Sequence, residues 1–338
     1  MGDDTASLSV AVDQFFSSLN AVAGDNATST PLRQQVLTAA GLLAQRFNSL
    51  NNVYNAQQQS VSQQRSAIVD SANANITKIA ALNARITAAN AVGAPASSLI
   101  DARDLAIDAL AGQMSLEVSD QPGGVRDVSL KTGQALVIGN VAGELKANGG
   151  VGQLGGLSVY GQDMLRPMQI GTGDFARQLS EKINTQLGAG YAMDGTPGKA
   201  LFSFTAGATN MLNVAAGFEA THLAFSSDGT QGDSGNLLKL VGINSQPVTV
   251  TGLGTVLLSD ADTQLVGKLG VLSQQNQAAL ATAQTMRTHA VDDWQSTSGV
   301  NQDEEAVNLV EYQNMYQANM KVMSVANSLF DATLAMMG

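Results

Sequence analysis

Apolar residues recur at helical spacing along residues 7–112 and are interrupted only at turn signals. In residues 7–24 they predict a helix that ends at Gly24, and they comprise Leu8, Val12, Phe15, Phe16 and Leu19. A second pattern begins after a Ser/Thr-rich stretch, has Pro31 in its first turn and continues to about residue 90. Its apolar stripe, which we call the stalk seam, consists of Tyr54, Val61, Ile68, Ile76, Ile79 and Ile86.

The length of this second helix predicts an elongated element. A helix over residues 31–90 would be about 90 Å long at about 1.5 Å per residue. Because its apolar positions recur mostly at heptad spacing, we expect another long helix to lie beside the stalk seam. A shorter helix is predicted to begin near Ser98.

From about residue 113 to 262 glycine becomes frequent and the apolar period falls toward two, which predicts strands. The predicted strands lie in residues 114–120, 125–133, 134–140, 157–161, 200–207, 222–227 and 247–252. One helix is predicted among them, with Thr172 or Asp174 as its N-cap and its end at Gly188. We interpret this zone as an inserted, mostly-β domain.

Helical spacing returns from Ser259, and residues 259–298 are the natural partner for the long helix. The last helix is predicted over residues 303–337 and carries a sustained heptad pattern. We predict that its apolar positions form an assembly interface, namely Leu309, Tyr312, Tyr316, Met320, Met323, Phe330 and Leu334.

These patterns predict an α+β fold. Residues 1–112 and 263–300 would form a long antiparallel helical-bundle stalk built from both chain ends, and residues 113–262 would form the inserted domain. Residues 301–338 would form a carboxyl-terminal assembly helix.

Composition narrows the classes of function. Charged residues make up only 13% of the 338 residues, about half the usual share, and the net charge is −11. This charge disfavours nucleic-acid binding. Cysteine is absent, and no apolar run approaches the roughly 20 residues that span a membrane, so we expect neither disulfides nor membrane insertion.

The sequence offers only weak candidates for a catalytic, cofactor-binding or metal-binding site. Gly150, Gly152 and Gly155 match the spacing of a dinucleotide-binding loop, but a strand is predicted after them, so a chance turn is favoured. His222 and His289 have no second ligand at metal-binding spacing. The remaining candidates are three carboxylates on the helix after the long one, where Arg103 favours an ion-paired, solvated face over acid–base catalysis: Asp101, Asp104 and Asp108. We therefore expect no enzyme, no cofactor and no metal site.

The end of the chain resembles the flagellar hook-associated protein 1 family. Residues 298–305 (SGVNQDEE) precede a helix that carries Y-Q-x-x-Y-x-A-N from Tyr312 and a Phe-Asp pair at Phe330. Residues 13–50 and the D-x-R-D helix at Asp101, with the strand pair after it, resemble the same family in the same order.

Members of this family normally begin with a segment that contains a helix and an N-N-I-A-N-x-x-T-P-G-Y stretch, which this sequence lacks. We therefore expect a fragment without that amino-terminal segment. The resemblance implies that the missing helix would pair with residues 303–337, so we expect these residues to be less protected from hydrogen exchange than residues 31–90.

The resemblance implies a structural protein at the junction between flagellar hook and filament, located outside the cell after export through the flagellar channel. The implied partners are hook protein, a second junction protein (hook-associated protein 3), further copies in a ring, and an export chaperone at the carboxyl-terminal helix. Two alternatives stay open at this point: another hook or rod subunit, and a surface adhesin that binds through the β domain.

Overall fold

The computed structural model describes residues 7–146 and 152–298. The chain divides into two compact units, Met1–Gly270 and Val271–Gly338. All seven residues of the predicted assembly interface lie outside the described residues, as does the rest of the predicted assembly helix. The predicted division into stalk, inserted domain and assembly helix stays a prediction.

Two helices open the described chain, as predicted. Helix α1 spans Leu8–Val22, and the Ser7 hydroxyl accepts a hydrogen bond from the backbone N–H of Val10, which caps it. Helix α2 spans Thr30–Ala91 without interruption over 62 residues. Its start follows the prediction because Pro31 lies in the first turn, although no side-chain cap hydrogen bond forms there.

Helix α3 (Ser97–Ala111) runs into a four-stranded antiparallel sheet in which every strand pairs with the next. Its strands are β1 (Leu116–Gln121), β2 (Val125–Leu130), β3 (Ala135–Ile138) and β4 (Val141–Ala142). The β1–β2 register pairs Val118 with Val128, so their side chains share one face of the sheet. The three longer strands confirm the predictions for residues 114–140.

The strand predicted at residues 157–161 is wrong. Helix α4 (Gln153–Val159), a π-helical turn (Tyr160–Leu165) and helix α5 (Arg166–Gly188) run on from one another. The local alternation of Leu157 and Val159 suits a strand, but burial of Leu154 and Leu165 against α2 favours a helix. The end of α5 at Gly188 is as predicted.

The N-cap predicted for this helix is also wrong. Thr172 and Asp174 lie in the interior of α5, where the Thr172 hydroxyl is buried and donates to the carbonyl of Met168 at 2.9 Å. The helix begins earlier because it continues from the π-helical turn, which leaves no free amino-terminal N–H groups near Thr172 to cap.

Two hairpins and one short helix follow α5 in the first unit. The hairpins are β5 (Phe202–Phe204) with β6 (Leu212–Val214), and β7 (Pro247–Val250) with β8 (Gly254–Leu257), and helix α6 spans Gly235–Gly242 between them. The strand predicted at residues 222–227 is wrong, since Ala220–His222 form a 3₁₀ turn and Ser226 makes only an isolated bridge to Tyr191. The apolar residues Leu223, Ala224 and Phe225 are buried as a loop.

Helix α7 (Ala261–Ser298) follows the second hairpin, in agreement with the predicted return of helical spacing. Its residues 261–270 belong to the first unit and its later residues to the second. Long helices with small antiparallel sheets make this an α+β protein, as the sequence predicted.

Buried side chains form two main cores along α2. The large core joins the first half of α2 to α1, α5, α6 and both hairpins, and its largest buried side chains are Phe15, Phe47, Phe175 and Phe225. The small core joins the second half of α2 to α3 and the four-stranded sheet. Between them lies a minor cluster of Tyr54, Leu165 and Met168.

The stalk seam of the long helix

The six residues of the stalk seam all face the interior of the first unit. Ile76, Ile79 and Ile86 are fully buried, Tyr54 and Val61 are each 8% exposed, and Ile68 is half-buried. Several elements cover the seam residues that belong to the buried clusters, and one of them is the predicted partner helix α7, whose Leu269 packs against the Tyr54 cluster. Tyr54 packs on Leu165 and Met168, whereas Ile76 and Ile79 pack on α3 and the sheet.

Asparagine side chains on the buried side of α2 fix the non-helical segments. The Asn48 amide donates to the carbonyl of Leu212 at 2.7 Å and accepts from its N–H at 3.0 Å. The Asn73 amide does the same with Leu145, at 3.1 and 2.8 Å. Each side chain therefore pairs with a backbone as a neighbouring strand would, and so satisfies groups that burial would leave unpaired.

Asn83 holds two strands at once and is fully buried. Its amide nitrogen donates to the carbonyls of Arg126 and Gly139, at 2.8 and 2.7 Å, and its oxygen accepts from the Arg126 N–H at 3.3 Å. Sequence reasoning missed these asparagines. The available signal was their placement, since Asn83 lies four residues after Ile79 and three before Ile86, on the seam face of α2.

A second amide network ties α2 to α5. Gln58 donates to Gln169 at 2.7 Å, and Gln169 in turn donates to Asn51 at 3.1 Å and to Asn55 at 2.8 Å. Next to this network, burial raises the pKa of Tyr54, whose hydroxyl oxygen lies 3.5 Å from that of Thr172. The network fixes the separation of α2 and α5 at this level.

Arg33 brings a positive charge into the large core, where it is 4% exposed. It donates to the carbonyls of Ala27 and Leu223, each at 2.7 Å, and to that of Ala220 at 3.3 Å. The guanidinium also lies over the Phe225 ring, 4.5 Å from its centroid. Burial lowers the pKa of Arg33 to about 10, so the side chain stays charged at neutral pH.

One of the three carboxylates considered for catalysis, Asp104, takes part in structural ion pairs. Asp104 accepts from Arg103 at 3.0 Å and from Arg126 at 2.9 Å, while Asp101 and Asp108 are exposed. The ion pair agrees with the prediction, but Arg103 is not solvated: it is 3% exposed and also donates to the carbonyl of Gly124 at 2.6 Å. These contacts join α3 to the turn before β2.

Of the glycine triad, Gly152 and Gly155 lie at the start of α4, and Gly150 lies outside the described residues. Gly152 has a positive φ of 68° and precedes the seven-residue α4, and a Cβ there would lie 2.4 Å from the Gln113 carbonyl oxygen. Glycine is therefore required by close packing on the end of α3. His222 caps its own turn, since its Nδ1 accepts from the Glu219 N–H at 3.0 Å.

Neither a metal site nor a membrane span emerges from the residues that the structure describes. Within residues 7–146 and 152–298, no group of three or more His, Asp and Glu side chains could hold a metal ion. The helices in these ranges include none with the length and apolar character needed to cross a membrane.

Two family models match the chain. Residues 1–151 match the "Flagellar hook-associated protein FlgK helical domain", which covers α1, α2, α3 and the four-stranded sheet. Residues 294–336 match the "Flagellar basal body rod FlgEFG protein C-terminal" model.

The curated relatives and the solved structure that this chain resembles are also flagellar proteins. Flagellar hook-associated protein 1 of Bacillus subtilis is 23% identical over 99% of this chain and 77% of the relative, and that of Escherichia coli is 24% identical over 99% and 82%. The solved flagellar hook junction protein FlgK from Burkholderia pseudomallei aligns with a TM-score of 0.55 at 28% identity, over 61% of this chain and 42% of the solved one. The chain is therefore similar to flagellar hook-associated protein 1 over nearly its whole length.

Proposed function

We propose that this protein is a structural subunit of the bacterial flagellum that joins hook to filament through the packing of its helices, with no catalytic step. The observation that carries the proposal is α2. At about 1.5 Å per residue, its 62 residues form a rod about 93 Å long. A rod fixed by two cores can keep the spacing between the structures at its ends.

The proposed partners are hook protein on one side, hook-associated protein 3 on the other, and further copies of the same chain in a ring. We also propose an export chaperone that protects the carboxyl-terminal helix in the cytoplasm, and export to the cell exterior through the flagellar channel. The heptad pattern of residues 303–337 supports these contacts, since an apolar helical face needs a partner.

The experiment is a stop codon after Gln302 in the chromosomal gene. We expect loss of junction assembly and of chaperone binding, while the first unit keeps its fold because its cores lie before residue 271. Wild-type motility in the shortened strain would overturn the proposal.

A pull-down distinguishes the junction role from that of another hook or rod subunit. Immobilised protein is incubated separately with purified hook protein and purified hook-associated protein 3. Retention of both is expected for a junction subunit, and retention of hook protein alone would favour a hook or rod subunit.

A further inference from the structure

A cleft of about 610 Å³ opens between α2 and α5. Asn51 and Gln58 line it from α2, and the loop between β5 and β6 closes one side with Ala206 and Gly207. Its walls are fixed, because Gln169 bridges α2 and α5 and the Asn51 amide donates to the Ala208 carbonyl of the loop at 3.0 Å. The cleft is thus a preformed feature of the first unit.

The π-helical turn Tyr160–Leu165 shapes one end of this cleft. Gly161 lies within the turn and Arg166 directly follows it, and both line the cleft. Such wide turns are rare and occur often at functional sites, where they reposition side chains. Here the turn brings an arginine to the rim.

The lining of the cleft combines positive charge with apolar surface. The side chain of Arg166 is exposed and makes no hydrogen bond or ion pair with the described parts of the chain. The carboxylate in the lining, that of Asp174, is engaged: it accepts from the Thr251 hydroxyl at 2.6 Å and lies 3.6 Å from Arg177. Ile170 is 44% exposed at the same surface, and Met211 supplies a further apolar wall.

We propose that this cleft binds the acidic start of the carboxyl-terminal helix of a second copy, with a carboxylate on Arg166 and an apolar side chain against Ile170. Charge complementarity selects this segment, since residues 303–305 are the only three consecutive acidic residues in a chain of net charge −11. Asp303, Val307 and Val310 fall at helical spacing, which predicts acidic and apolar groups on one face of a helix. The inference deepens the proposed ring of subunits and rests on that proposal.

The test is binding of a labelled synthetic peptide of residues 301–316 to the full chain, measured by fluorescence anisotropy. We expect Arg166→Glu to weaken binding about tenfold, because it replaces an attraction by a repulsion. Ile170→Ser is expected to weaken it severalfold. Both positions are exposed, so the fold should tolerate the changes.

The matched control is Arg46→Glu, an equal charge reversal at an exposed position of α2 that does not line the cleft. It should change the affinity less than twofold. A peptide with lysine at positions 303 and 304 should bind the Arg166→Glu chain better than it binds the parent chain. Absence of peptide binding to the parent, equal affinity of the Arg166→Glu chain, or an equal loss in the control would each overturn the inference.

A pull-down with hook protein, run on the same variants, keeps this test separate from the test of junction function. Loss of peptide binding with hook protein retained supports the cleft as a contact between copies. If the parent chain does not retain hook protein, the junction role fails, and the peptide affinities still decide whether the cleft binds the segment.

Discussion

The two cores along α2 differ in what fills them. The large core contains four fully buried phenylalanines, and two of them, Phe47 and Phe175, meet edge to face with ring centroids 5.3 Å apart. The small core is built from aliphatic and methionine side chains, such as Ile79 and Met114, with no aromatic side chain among its buried residues in the described ranges. One helix therefore supports an aromatic core at one end and an aliphatic core at the other.

The two cores also differ in the groups that their buried arginines contact. Arg33 in the large core meets carbonyl oxygens and an aromatic ring, whereas Arg103 at the small core is paired with the Asp104 carboxylate. A buried charge therefore does not require an opposite charge when several carbonyl dipoles point at it. We expect the two cores to unfold independently, and a substitution in each core tests this expectation.

The largest effect is expected from Phe47→Ala. The side chain is fully buried, so its removal leaves a cavity and should lower the free energy of unfolding by about 3–5 kcal/mol. Urea denaturation measures this loss, and Leu42→Ala, at a position 48% exposed, is the control with an expected change within about 0.5 kcal/mol. If this variant lost as much hydrogen-exchange protection in β1–β3 as in the large core, the two cores would not unfold independently.

The corresponding change in the small core is Ile79→Ala. We expect a loss of about 2–4 kcal/mol, since a smaller buried side chain is removed. Hydrogen exchange should locate the loss in α3 and in strands β1–β3, with α1 unaffected. Faster exchange throughout α1 would mean that the two cores unfold together.

A smaller loss is expected from Asn83→Leu. The substitution keeps the branching of the side chain at Cγ but leaves the Arg126 and Gly139 carbonyls without their partner, at a cost of about 1–3 kcal/mol. Asn52→Leu is the matched control, because Asn52 is exposed on the same helix. Equal stability of the two variants would show that the buried amide does not hold the strands.

The smallest effect concerns pH and the loop before α6. Hydrogen bonds from Ser227 and Gly235 lower the pKa of Asp233 to about 2, below its ordinary value of 3.8. Because the folded state holds the proton less tightly, this stabilisation is present above about pH 4 and is lost as the pH falls toward 2. Urea denaturation gives the free energy of unfolding at pH 5 and at pH 2.5. The difference between these two values should be smaller for Asp233→Asn than for the parent, and an equal difference in both proteins would contradict this.

Periodicity predicted the elements that bury a regular stripe. The bounds of α2 and the burial of Ile76, Ile79 and Ile86 follow from apolar spacing alone, because a long helix must repeat its pattern many times. Residues 157–161 and 222–227 were assigned wrongly for the converse reason. Short apolar runs fit both the helical period and the strand period, so packing against α2 or Arg33 decides which structure forms.

The asparagine contacts and the cleft could not be predicted. Asn48 and Leu212 lie 164 residues apart in the chain, so no local pattern links them. The position of Arg166 depends on the π-helical turn Tyr160–Leu165, whose first two residues belong to the stretch 157–161 that was assigned to a strand. Both features arise from the way distant segments pack onto α2.

The asparagine side chains of α2 fix the angle at which each neighbouring segment lies around the helix axis. At 3.6 residues per turn, one residue inserted between Tyr54 and Asn73 turns the second half of α2, with the small core packed on it, by about 100° relative to the large core. Seven inserted residues add almost two full turns and restore the angle to within about 20°. Changes in the length of α2 between Tyr54 and Asn73 should therefore survive in steps of seven, which sets the distance between the two cores in increments of about 10 Å.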